Sequence, residues 1–144
     1  HDVAVRFSKC CSPVPGDEIV GYVTRGRGVS IHRTDCVNII HLSDEERVRL
    51  IDAEWQQPDT VESNARYTAE IKIFGHNRTG LLVDVVKILT EKKIDVASVN
   101  TRTNKQGMAT ISLSFEVQGR EELNQLIEKI RQVESVVDIE RTTG

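Results

Sequence analysis

Ala69-Glu70-Ile71-Lys72-Ile73 is followed by Leu81-Leu82-Val83-Asp84-Val85-Val86-Lys87-Ile88-Leu89, and between the two the hydrophobic period changes from strand-like to helix-like. Ala69, Ile71 and Ile73 alternate with Thr68, Glu70 and Lys72, as in a strand with one buried face. Leu82, Val85, Val86 and Leu89 fall at helical spacing, and Leu81 and Ile88 widen the stripe. Working outward, Ile94 to Thr103 reads as a second strand. Asn104-Lys105-Gln106-Gly107 is a turn in which Gly107 takes the left-handed position. Ala109, Ile111, Leu113, Phe115 and Val117 form a third strand ended by Gly119. Leu123, Leu126, Ile127 and Ile130 form a second helix, and Val136 to Glu140 a fourth strand. The order βαββαβ predicts a ferredoxin-like fold, with two helices on one face of an antiparallel sheet. The other face presents polar residues such as Thr68, Glu70, Ser112 and Ser114 to solvent. The strand over 94–103 is expected at a sheet edge, where Val96 and Val99 invite pairing with a second copy.

Asn77-Arg78-Thr79-Gly80 joins the first strand to Leu81-Leu82. Asn77 or Thr79 can cap the helix, and Gly80 lets a small ligand approach its free N–H groups. A bound carboxylate would be favoured there by those donors and by the helix dipole; a plain helix cap accounts for the same residues.

Residues 1–55 read differently. Four of the nine glycines lie between positions 16 and 28, so this is a turn-dense β unit. Glu18 to Thr24 and Gly28 to His32 are strand-like, with Arg25-Gly26-Arg27 as the hairpin turn. Thr34 or Asp35 can cap a short helix over Cys36 to Ile40, Ser43-Asp44-Glu45-Glu46 is another turn or cap, and Val48 to Trp55 a closing strand. Cys10, Cys11, His32 and Cys36 form a possible set of three thiolates and one imidazole, the ligands that tetrahedral Zn²⁺ prefers. Adjacent cysteines point opposite ways on a straight strand, so both can ligate only where the backbone turns, as Pro13 and Val14-Pro15-Gly16 would allow. The same four would equally suit small buried positions with His32 on a strand edge. Arg25 and Arg27 on their glycine-flexible loop, with Arg33 and Lys9 nearby, can approach phosphates, or can be solvated turn charges.

The chain has 144 residues and a formal net charge of −3. Residues 43–65 concentrate the acidity, with seven Asp/Glu against two Lys/Arg, and 56–65 has the polarity of a linker. The expected division is a β unit over 1–55, a linker over 56–65 and the βαββαβ unit over 66–144. A unit as small as the first gains most from a metal staple. Three cysteines, two of them adjacent, argue against a disulfide framework and for a reducing, cytoplasmic setting. No apolar stretch approaches membrane-spanning length. The chain opens on a strand-like His1-Asp2-Val3-Ala4-Val5 without methionine, as a piece of something longer would.

Lys9-Cys10-Cys11-Ser12-Pro13-Val14-Pro15-Gly16-Asp17, followed by Gly21 through Cys36, resembles the conserved-cysteine (zinc-finger) domain of long RelA/SpoT homologues, the synthetases and hydrolases of the alarmone (p)ppGpp. Asn77-Arg78-Thr79-Gly80-Leu81-Leu82 on a βαββαβ pattern resembles an ACT domain, a module often tuned to amino acids, although the family loop commonly starts with Asp and carries Pro in place of Thr79. The tandem order resembles the C-terminal arrangement of those homologues. The resemblance implies a parent that is a bifunctional GTP diphosphokinase and guanosine-3′,5′-bis(diphosphate) 3′-diphosphatase of the bacterial stringent response, with this region as its sensor. It supports Cys10, Cys11, His32 and Cys36 as structural zinc ligands. It implies docking on ribosomal RNA near the A-site, with Arg25, Arg27 and Arg33 as contacts, and partnership with the parent's catalytic domains. For the ACT domain it implies an amino-acid ligand. The slot that an edge-paired homodimer would form from Asn77, Arg78, Thr79, Gly80, Leu81, Leu82, Val96 and Val99 suits a small branched-chain amino acid.

Two other functions fit parts of the pattern. A stand-alone enzyme would use Cys36 and His32 as a nucleophilic pair, and metal-held thiolates would be inert. A zinc-containing nucleic-acid-binding regulator with an amino-acid-sensing ACT domain would need a basic groove-reading helix, and residues 35–42 hold no Lys or Arg. The chain also lacks a phosphate-cradling Gly-rich loop followed by Lys-Ser/Thr. The regulatory reading, with no catalysis in this segment, accounts for most of the residues.

Overall fold

The computed structural model describes residues 4–26, 28–56 and 65–142. The elements are β1 (Val5–Phe7), β2 (Ile19–Thr24), β3 (Gly28–Arg33), α1 (Val37–Ile40), α2 (Asp44–Arg47), β4 (Leu50–Asp52), β5 (Tyr67–His76), α3 (Leu81–Glu91), β6 (Val96–Thr103), β7 (Met108–Val117), α4 (Arg120–Arg131) and β8 (Val136–Arg141).

The second sheet has the order β6-β7-β5-β8, all antiparallel, which is the expected ferredoxin-like arrangement with β6 at an edge. Strand parity decides its core. Ala69, Ile71 and Ile73 of β5 and Ala109, Ile111, Leu113, Phe115 and Val117 of β7 are all buried, facing Leu81, Val85 and Leu89 of α3 and Leu123, Leu126 and Ile130 of α4. Asn104 holds the β6–β7 turn by accepting from the N–H groups of Gln106 and Met108, and Gly107 takes a φ of 79°.

The first sheet has the order β1-β3-β2-β4, with β1 parallel to β3 and the other pairs antiparallel. Among the described residues its own buried apolar cluster comprises Cys11, Cys36 and Ile39, with Cys10, Val20, Leu42 and Leu50 half-buried against it. Two local expectations need correction. Neither Thr34 nor Asp35 caps α1: the N-cap is Cys36, without a side-chain hydrogen bond, because Asp35 is engaged by Arg33. The closing strand is only Leu50–Asp52, because Trp55 turns away to donate its indole N–H to the Asp17 carbonyl and to stack on Phe7. Ser43 does cap α2, in a reciprocal capping box with Glu46.

The two units interlock. Val14, wholly buried, belongs to the core cluster of the βαββαβ unit rather than to that of its own. Its loop turns tightly, with the Asp17 N–H donating to the Val14 carbonyl and Gly16 at a φ of 102°. Asp17 then receives both terminal nitrogens of Arg141 at 2.8 and 2.9 Å. The Arg120 N–H at the start of α4 donates to the Pro15 carbonyl at 2.7 Å. Phe7, Trp55 and Tyr67 close the same junction, with ring centroids 5.4 to 5.6 Å apart.

Candidate metal centre and effector loop

Cys10 and Cys11 reach a common point because the backbone turns at Ser8–Ser12, one step earlier than the prolines. The Ser12 N–H donates to the Ser8 carbonyl at 3.0 Å, and Ser12 adopts a φ of 46°. β3 brings His32 alongside, and the N-terminus of α1 brings Cys36. The ligand atoms of Cys10, Cys11, His32 and Cys36 lie within 4.8 Å of one another. Cys10 Sγ stands 3.4 Å from Cys36 Sγ, 3.4 Å from His32 Nδ1 and 4.0 Å from Cys11 Sγ; Cys11 Sγ stands 3.9 Å from His32 Nδ1. A tetrahedral ion with sulfur at about 2.3 Å needs its donors about 3.8 Å apart, so the residues fit a metal ion. The far nitrogen of the imidazole is occupied, with Nε2 lying 3.0 Å from Ser30 Oγ, which leaves Nδ1 for the cluster. All three cysteines are free thiols.

Burial acts on the set unevenly. Burial pushes the Cys11 thiol well up, against the pull of the Arg33 N–H, and burial also pushes up Cys36. Burial lowers the His32 pKa, favouring the neutral ligand form. Cys10 is raised by burial, but hydrogen bonding with Ser8, Asn38, Cys36 and Cys11 outweighs this, and its net shift is downward. Burial that disfavours the Cys36 thiolate works against a Cys36–His32 nucleophilic pair.

Of the three arginines expected on RNA, Arg25 is exposed on the β2–β3 turn, and Arg27 lies outside the described residues. Arg33 is turned inward and only 7% exposed. Its guanidinium grips Asp35 at 2.9 and 2.6 Å and donates to the carbonyls of Cys11 and Thr142. It is therefore not a surface contact. The alternation of β3 carried the signal: Arg33 shares the parity of buried Ile31, whereas His32 has the opposite one.

In the second unit, neither Asn77 nor Thr79 caps α3. The N-cap is Gly80 at a φ of 84°, with no side-chain hydrogen bond. Arg78 is tied to Asp84 at 2.8 Å and to the Glu134 carbonyl at 2.9 and 3.2 Å. Leu81 and Val96 face their own core, while Leu82 and Val99 are exposed. β7 lies between β5 and β6, so one protomer does not bring the Asn77–Gly80 loop and Val99 together.

A βαββαβ unit locked to a thiol–imidazole cluster defines a class, and comparison with known proteins shows it. A family model of the ACT domain matches residues 63–141, so the chain belongs to the ACT domain family, and a model of the RelA/SpoT RIS domain matches residues 1–56. The chain is 37% identical over 140 residues to the GTP pyrophosphokinase of Escherichia coli K12, covering 96% of this chain and 18% of that protein. It is 37% identical over 143 residues to the bifunctional (p)ppGpp synthase/hydrolase RelA of Mycobacterium tuberculosis, covering 99% of this chain and 19% of the relative. Among solved structures, the ACT domain from the GTP pyrophosphokinase of Chlorobium tepidum aligns with a TM-score of 0.48 at 23% identity, covering 54% of this chain and 99% of that one. More particularly, then, the chain corresponds to the C-terminal regulatory region of RelA/SpoT-type GTP pyrophosphokinases. It spans about a fifth of the length of the curated relatives it matches. Among the described residues, no helix is long and apolar enough to cross a membrane.

Proposed function

We propose that this region is the non-catalytic sensor of a cytoplasmic (p)ppGpp synthetase/hydrolase of the stringent response, with its RIS unit held by one structural Zn²⁺. The observation that carries the reading is the clustered set of buried Cys11 and Cys36 with half-buried Cys10 and His32, ahead of an ACT fold. Four protein ligands leave no open coordination position, so bound zinc would supply folding energy rather than chemistry. Arg25, and with it Arg27, is the basic feature left for ribosomal RNA; Arg33 is withdrawn from that role by its burial. The ACT unit responds to amino-acid status by pairing through β6 with a second copy, so that Val99 of one copy lines a slot beside the Asn77–Gly80 loop and Leu82 of the other. A small branched-chain amino acid suits that lining.

The test is ribosome co-sedimentation of the full-length parent across a salt series. Arg25→Ala with Arg27→Ala should weaken association and flatten the salt slope by one to two, in line with the loss of about two phosphate contacts. An unchanged slope removes these arginines from the interface.

A further inference from the structure

We infer that Arg33 and the Asp17–Arg141 pair are positioning residues that couple the metal cluster to β8 of the ACT unit, so that metal affinity and the order of that strand depend on each other. The inference rests on the metal reading above.

Arg33 is the meeting point. Its backbone N–H donates to Cys11 Sγ at 3.3 Å, and one arm of its guanidinium reaches the Cys11 carbonyl and the Thr142 carbonyl, each at 3.3 Å. The other contacts grip Asp35, the residue before Cys36. One buried side chain thus fixes the backbone of one candidate ligand, orients the approach to a second, and holds the residue that follows β8. Arg141, inside β8, completes the frame from the other side. It holds the Ser12 carbonyl at 3.1 Å while gripping Asp17, whose Oδ2 also accepts the Val14 N–H at 2.8 Å. The carbonyls of Cys11 and Ser12 are therefore held by two cations, one of which belongs to the ACT sheet.

The ligand loop cannot shift without disturbing β8, and the reverse holds too. Asp17 and Arg141 are both largely buried, so their pair lacks the solvent screening that makes surface pairs weak. The buried Arg33 guanidinium holds the Cys11 carbonyl from inside, while its Asp35 partner faces solvent. Outer contacts of this kind orient ligands, and their loss typically costs about 10- to 100-fold in metal affinity. Coupling between two equilibria is reciprocal, so metal must tighten β8 as much as β8 tightens metal.

The experiment uses the full chain. Zn²⁺ affinity is measured by competition with a chromophoric chelator, the thiolate bands of Co²⁺ report the ligand set, and amide exchange is followed with and without metal. In the wild type, metal should slow exchange at 136–142 as well as at 4–56. Arg33→Met, which keeps the Cys11-bound backbone N–H, and Arg141→Gln should each weaken Zn²⁺ binding about tenfold or more and confine the exchange response to 4–56. The β7 amides should stay protected in both variants. Should Arg141→Gln loosen β7, Asp17→Asn gives the same comparison. A metal response that stops at residue 56 in the wild type, or variants with wild-type affinity, overturns the coupling while leaving the metal reading intact. A wild type that binds neither ion overturns both.

Discussion

Val14→Ala tests the interlock most directly. Val14 is fully buried and shares a core with Phe115, Leu123 and Ile130, although it sits three residues after Cys11. Losing its two methyl groups removes about 1.6 kcal/mol of transfer free energy, at about 0.8 kcal/mol per group. Pro13 and Pro15 stiffen the chain on either side and hinder collapse, so a cavity contribution should raise the cost to about 2–3 kcal/mol. With a urea slope of roughly 2 kcal/mol/M, the midpoint should fall by about 1 M. Two probes are available: the fluorescence of Trp55, the single tryptophan, which stacks on Phe7 at the junction, and far-UV dichroism, dominated by the larger sheet. Both transitions should move together. Val48→Ala, at an 83% exposed position of the same unit, should change stability by less than about 0.5 kcal/mol and serves as the control. A dichroism midpoint unmoved by Val14→Ala would show that the loop only rests on the ACT unit and is not part of its core.

Three further outcomes are expected. Cys36→Ala should abolish tight zinc binding and speed amide exchange in β2 and β3, because the apolar cluster left there is too small to hold the unit; elemental analysis and exchange mass spectrometry check this. Gly80→Val places a β-branched residue at a φ of 84°, which should cost at least about 1 kcal/mol and abolish any calorimetric response to valine or isoleucine. Heat of binding that survives the change would remove the loop from the effector site. The Ser43 backbone N–H and hydroxyl hold the Glu46 carboxyl below its ordinary value of 4.5. The folded pKa lies below the unfolded one, so the stabilisation of α2 is complete above about 4.5 and is lost as pH falls through the folded value. Glu46→Gln should remove that acid-side change in exchange at 43–47.

The ACT half was legible because it is built from long elements whose periods switch cleanly. Alternation over β5 and β7 survives in the folded chain, and the stripe of α3 survives rotated, centred on Leu81, Val85 and Leu89 with Leu82 exposed. The metal cluster was legible because soft ligand types are scarce, and proximity of all four needs only one hairpin and one short helix. What the sequence hid was direction and distance. Arg33 looks like Arg25 when only charge is read, and only the parity of a six-residue strand separates them. Val14 stands between two prolines, where apolar periodicity has no length in which to show itself. Asp17 and Arg141 are partners across most of the chain, and no local pattern connects them. The cap of α1 went to Cys36 because its neighbour Arg33 had already engaged Asp35, and that of α3 to Gly80, whose φ of 84° suits glycine.

The pairing of Asp17 with Arg141 spans 124 positions. A ribosome adding about 5–20 residues per second needs roughly 6–25 s to make that stretch. Throughout that time Val14 has no core to enter and Asp17 no cation to meet, while the cysteines are already exposed to whatever metal or oxidant is at hand. Assembly of this region is therefore paced by translation, and a pause late in the ACT coding sequence would lengthen the interval in which the thiols are unprotected.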